Sequence, residues 1–176
     1  MIGALFLSMA VICAPHPISF LLAVFVHELS HVITARIFGW GKAYRVFPLT
    51  GFRMCYSGVH TTVSRACVSL SGCALGFLIY FIPLFQYSFR MYSLGLSLFN
   101  LLPIRGLDGG EAFIALAEAF LGIRAAWMAF RVVSVACALF LWGTCTAVQL
   151  KAGPNVTLLA VTMFLTVKAL ETEKSF

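Results

Sequence analysis

The sequence predicts an all-α polytopic membrane protein of about six transmembrane helices, with a small membrane-associated β-hairpin. Three observations lead there. Of 176 residues, 61% are hydrophobic and 10% charged, with 17 Phe and a mean hydropathy of +0.99; a soluble fold of this size cannot hide so much apolar surface. Apolar runs recur that are long enough to cross about 30 Å of hydrocarbon. The basic residues are sorted between alternate loops as a membrane topology requires.

Taken in order, residues 1–14 (MIGALFLSMAVICA) form a short or tilted first span that ends at Pro15-His16-Pro17. No signal peptide is expected there, because the first Lys or Arg of the chain is Arg36. Residues 18–38 are the second span. Residues 43–56 (AYRVFPLTGFRMCY) place two stretches of aromatic, β-branched and Arg residues around Pro48-Leu49-Thr50-Gly51, which is turn chemistry. A β-hairpin at the cytoplasmic interface is expected, with an irregular loop as the alternative. Spans follow at 66–87, where Gly72 and Gly76 form a G-x-x-x-G suited to close helix packing, and at 91–104, a short run leading into Pro103. Residues 110–122 read as an interfacial helix, and 127–149 and 154–170 as the last two spans.

With six spans and both termini in the cytoplasm, Lys42, Arg45, Arg53, Arg65, Arg105, Arg124, Lys168 and Lys174 lie inside and only Arg90 and Lys151 outside. Arg36 and Arg131 fall near the cytoplasmic ends of their spans. This distribution accounts for a net charge of +6 without a nucleic-acid partner, since no basic run or aromatic-interleaved patch exists. The six cysteines (Cys13, Cys55, Cys67, Cys73, Cys137, Cys145) show no C-x-x-C pairing, and most sit in apolar runs as small hydrophobes. A single transmembrane domain is expected over 1–176.

Chemistry concentrates in VFVHELSHVI, residues 24–33. On a helix, i and i+4 share a face, so His27 and His31 can reach one tetrahedral zinc ion, while Glu28 is placed to take a proton from a water activated there. A carboxylate inside the bilayer costs about 2.5 to 3.5 kcal/mol unless compensated, so an intramembrane glutamate points to function. A zinc site that keeps one position open needs a third protein ligand. Among only six acids, Asp108 stands in FNLLPIRGLDGG, where Pro103, Gly106, Gly109 and Gly110 break a helix near bilayer depth. Broken backbone is tolerated there only when buried in protein or lining a watery cavity. A turn with Asp108 as helix cap is the plainer reading, and His16 and His60 are rival ligands. Glu111 and Glu118 are further acids, read as a polar stripe on the 110–122 helix.

HELSH in one apolar segment, followed some 70 residues later by Asn100, Pro103, Asp108 and Gly109 in the pattern N-x-x-P-x-x-x-x-D-G, resembles the site-2 protease family of intramembrane zinc metalloproteases. His-Pro before the first motif, RVFPLTGF and NLLPIRGLDGG resemble the family's short sporulation-type branch, whose members process an inactive sigma-factor precursor. The resemblance covers most of residues 15–125. It implies that His27, His31 and Asp108 hold one Zn2+ per chain, that Glu28 is the general base, and that Asn100 holds the substrate or stabilises the developing oxyanion. It further implies a hairpin edge offered to a substrate segment, a membrane protein or membrane-associated peptide as substrate, and a location in the bacterial cytoplasmic membrane. Gly72-Cys73 departs from the family's frequent Gly-Pro, and neither a PDZ nor a CBS domain is seen. Two other readings stand beside it: a CAAX-type membrane zincin with a glutamate as third ligand, and a metal-binding or transport protein without hydrolysis.

Overall fold

The computed structural model describes residues 14–41, 43–46, 53–56 and 61–170. Among them the elements run α1 (Pro17–Ile37), β1 (Ala43–Val46), β2 (Arg53–Tyr56), α2 (Thr62–Phe81), α3 (Tyr87–Asn100), α4 (Asp108–Leu121), α5 (Ile123–Ala152) and α6 (Val156–Leu170). They form two compact units that divide between Leu101 and Leu102. Helices α1, α2 and α5 are long and apolar enough to cross a membrane, with lengths of about 31, 30 and 45 Å at 1.5 Å per residue. Their outer faces carry exposed large hydrophobics such as Phe25, Leu78, Phe81, Val132, Leu139 and Phe140, a surface suited to hydrocarbon and unsuited to water. The chain is therefore a membrane protein. Most of the expected first span lies outside the described residues.

In the first unit, α1 opens with Pro17, at a position where a missing backbone N–H breaks no helical bond. It closes through Gly39, whose φ of +70° lets the Trp40 N–H reach back to the Ala35 carbonyl at 2.9 Å. One stripe of α1 is buried: Ser19, Ala23, His27, Ser30 and Ala35. Strands β1 and β2 pair antiparallel, Ala43 opposite Tyr56 and Val46 opposite Arg53; the connecting residues 47–52 lie outside the described residues.

Helix α2 starts four residues before the apolar run 66–87 because Thr61 caps it, accepting the Ser64 N–H at 3.2 Å. It stops at Phe81, ahead of Pro83, whose ring cannot continue a helix. Likewise α3 occupies 87–100 in place of 91–104, ending shortly before Leu102, which precedes Pro103 and is disfavoured in helical backbone. Ala23, Ile79 and Phe89, one from each helix, form a buried core with Val26, Leu75 and Tyr92 packed on it. Lower down, α2 and α3 approach so closely that a Cβ at Gly76 would overlap the Ser97 hydroxyl and stand 2.8 Å from the Ser93 carbonyl oxygen. Arg90 binds the Tyr80 carbonyl at the end of α2 (2.7 Å) and stacks over the Tyr80 ring.

In the second unit, Gly122 and Gly153, at φ +76° and +87°, bound the 30-residue α5, and Asn155 caps α6 by accepting the Leu158 N–H at 3.0 Å. Helix α6 has 15 residues, about 22 Å. Phe130 of α5, fully buried, meets Phe113 of α4 and Trp127 at centroid distances of 5.9 and 6.1 Å. The Trp142 indole donates to Thr166 Oγ1 at 2.7 Å, tying α5 to α6.

Candidate functional site

His27 and His31 occupy successive turns of α1, about 15 and 9 Å from its C-terminal end at Ile37. His27 lies on the buried stripe and is 6% exposed. The two rings meet edge to face, centroids 4.9 Å apart, and the Nε2 atoms approach to 3.3 Å. Two nitrogens held at about 2.0 to 2.1 Å by one tetrahedral zinc ion stand about 3.3 to 3.4 Å apart. The pair thus has the spacing that a shared zinc ligation demands.

The tautomer of His31 follows from its neighbour. Its Nδ1 lies 2.7 Å from the Val68 carbonyl oxygen on α2. A carbonyl only accepts, so Nδ1 carries the hydrogen and Nε2 offers a lone pair. Ser71 Oγ donates to the same carbonyl at 2.7 Å and stands 3.3 Å from Nδ1. Gly72 lies beside both rings: a Cβ there would come within 2.6 Å of His31 Nε2 and His27 Cε1. On α1 itself, Ser30 Oγ donates to the His27 carbonyl at 2.6 Å. Glu28, next to His27 in sequence, is exposed.

The other expected residues are placed as follows. Asn100 is the last residue of α3, half-buried, and its amide donates to the Leu96 carbonyl at 3.0 Å. That bond uses one of two amide hydrogens and leaves the second for another acceptor. In the second unit, Leu107 holds the cap position of α4 and Asp108 is its first helical residue, half-buried. Asp108 and Glu111 fall in the first turn, where the helix dipole favours carboxylates. Glu118 lies two turns on, half-buried. His16 precedes α1, eleven residues from His27, about 16 Å along the axis, which removes it from the pair. His60 lies outside the described residues.

The broken segment between Asn100 and Asp108 is held by residues the motifs do not include. Ser134 of α5, fully buried, donates to the Pro103 carbonyl at 2.6 Å, supplying a donor to backbone that no helix satisfies. Ile104 is fully buried, and its backbone lies so close to Gly110 that a Cβ there would overlap the Ile104 carbonyl. Gly106 makes the turn at φ +83°, and the Arg105 guanidinium lies over the Trp127 ring at 5.6 Å.

The fold has a counterpart among solved structures: the chain is similar to the "Site-2 Protease from Methanocaldococcus jannaschii", at TM-score 0.62 and 17% sequence identity, over 98% of this chain and 86% of that one. At that identity the likeness is one of fold. No protein-family model and no curated protein matches the sequence.

Proposed function

We propose that the protein is an intramembrane zinc metalloendopeptidase in which His27, His31 and Asp108 hold one zinc ion. The observation that carries this reading is the histidine pair: two Nε2 atoms 3.3 Å apart on a membrane-spanning helix, the one on His31 left with its lone pair by the Val68 bond. Each of the three residues offers one ligand atom, and a set of two histidines and one carboxylate suits catalytic zinc. The fold shared with a solved site-2 protease supports the same reading.

Zinc held there supplies Lewis acidity, lowering the pKa of water and polarising a peptide carbonyl. The protein's own groups do the rest. Glu28 takes the proton of the attacking water and delivers it to the leaving amine. Asn100, with its second amide hydrogen, donates to the oxygen that gains charge as the carbonyl becomes tetrahedral. The substrate is a membrane-associated or single-span regulatory protein, cut near the cytoplasmic leaflet of a multi-pass chain with both termini inside. The paired strands β1 and β2 offer an edge to which a substrate segment adds as a strand. Likeness to the sporulation-type motifs makes a sigma-factor precursor the first substrate to try.

Co-expression with single-span candidates tests the proposal. Glu28→Gln removes the base and keeps the three ligands, so cleavage should vanish while zinc content stays near one per chain. A Glu28→Gln protein that cleaves at the full rate refutes the assignment.

A further inference from the structure

We infer that Gly72 and the Val68 carbonyl of α2 form a backbone seat for the histidine pair, and that Gly72 is a positioning residue of the site. This rests on the reading of His27 and His31 as zinc ligands. A helical carbonyl is ordinarily screened from other helices, because each side chain covers the turn N-terminal to its own Cα. The screen over Val68 would be the side chain four residues on, which is residue 72. Glycine leaves that patch open. Through the opening His31 brings Nδ1 to 2.7 Å from the Val68 oxygen, and Ser71 closes the rim with its own bond to that oxygen at 2.7 Å.

Any Cβ at position 72 would stand 2.6 Å from His31 Nε2 and 2.8 Å from His27 Nε2. These are the two atoms assigned to the metal. One turn on, Gly76 is seated against Ser93 and Ser97 of α3, so α2 could retreat from the histidines only by giving up that packing as well. A methyl group at 72 must therefore displace the imidazoles, breaking both their mutual spacing and the bond that fixes the His31 tautomer. The effect is local and falls on the ligands: residues that orient metal-bound histidines typically change metal affinity by about 10- to 100-fold when altered.

The test is a zinc competition titration with a chromogenic chelator on the full chain in detergent, for the unaltered protein, His31→Ala, Gly72→Ala and Gly95→Ala. An unaltered protein that binds no zinc, or a His31→Ala form that binds it as well, refutes the zinc reading itself. With that reading upheld, Gly72→Ala should weaken zinc binding about 10- to 100-fold, while Gly95→Ala, whose added Cβ meets nothing within 4 Å, keeps its affinity. Equal affinity of Gly72→Ala and the unaltered chain overturns the inference. Should Gly72→Ala fail to fold, 15N-histidine NMR of the unaltered metal-free protein decides: the proton of His31 on Nδ1 supports the seat, and its location on Nε2 overturns it.

Discussion

Ser134→Ala is the sharpest probe of how the Asp108 segment is held. Ser134 belongs to α5, far in sequence from either motif, is fully buried, and spends its hydroxyl hydrogen on the Pro103 carbonyl at 2.6 Å. Removing the hydroxyl leaves that acceptor without this donor, a loss of about 1 to 3 kcal/mol for a buried group. Side-chain hydrogen bonds in membrane proteins average lower, about 0.6 and at most about 1.7 kcal/mol. The two ranges overlap near 1 to 1.7 kcal/mol, which corresponds to about a 5- to 20-fold shift away from the arrangement that presents Asp108. Cleavage rate and zinc affinity, measured on the purified full chain, should both fall by that factor. Thr144→Ala is the comparator, an exposed hydroxyl of the same helix bonded to the Leu141 carbonyl at 2.9 Å, and should change neither. A Ser134→Ala protein within twofold of the unaltered chain in both measurements would refute the claim that this bond holds the segment.

Other outcomes follow from the same geometry. Asp108→Ala should lose zinc at stoichiometric concentrations, whereas Glu111→Ala and Glu118→Ala keep it; zinc retained by Asp108→Ala and lost with either glutamate would favour the CAAX-type ligand set, and metal analysis of the purified variants decides. Gly76→Ala forces a methyl group against Ser97 and the Ser93 carbonyl, an overpacking cost of about 1 to 3 kcal/mol, read as a lower midpoint of thermal unfolding in detergent. An unchanged midpoint would show that α2 and α3 are less tightly apposed than their contacts indicate.

Periodicity made part of this structure legible and geometry supplied the remainder. The histidines of HELSH lie one turn apart because i and i+4 share a helix face, and that needs no knowledge of the fold. Helix ends were less legible, because hydropathy marks what a bilayer tolerates while local chemistry marks where a helix begins and stops. Thr61 draws α2 out of its apolar run, and Pro83 cuts it short of residue 87. Gly122 and Gly153 extend α5 beyond the 127–149 run at both ends. Ser134 carried no signal at all, since a serine within an apolar helix usually bonds its own i−4 carbonyl, as Ser93, Ser97 and Thr162 do here. Only the fold shows that its hydroxyl goes to Pro103 instead.

The pair Gly72 and Gly76 shows what spacing alone conceals. As G-x-x-x-G, both positions read as one device for close packing, and for Gly76 that is the whole account: its missing Cβ makes room for Ser97 and the Ser93 carbonyl on α3. Gly72, one turn away, faces the imidazoles of α1 instead. The same absent methyl group therefore has two consequences on one helix face, tight apposition at one turn and access to a backbone carbonyl at the next. Substitution separates them by what is measured, because a packing glycine changes the unfolding midpoint and a seat glycine changes the affinity for metal. If Gly72→Ala moved only the midpoint, the two glycines would be one motif after all, and the orientation of His31 would have to come from α1 alone.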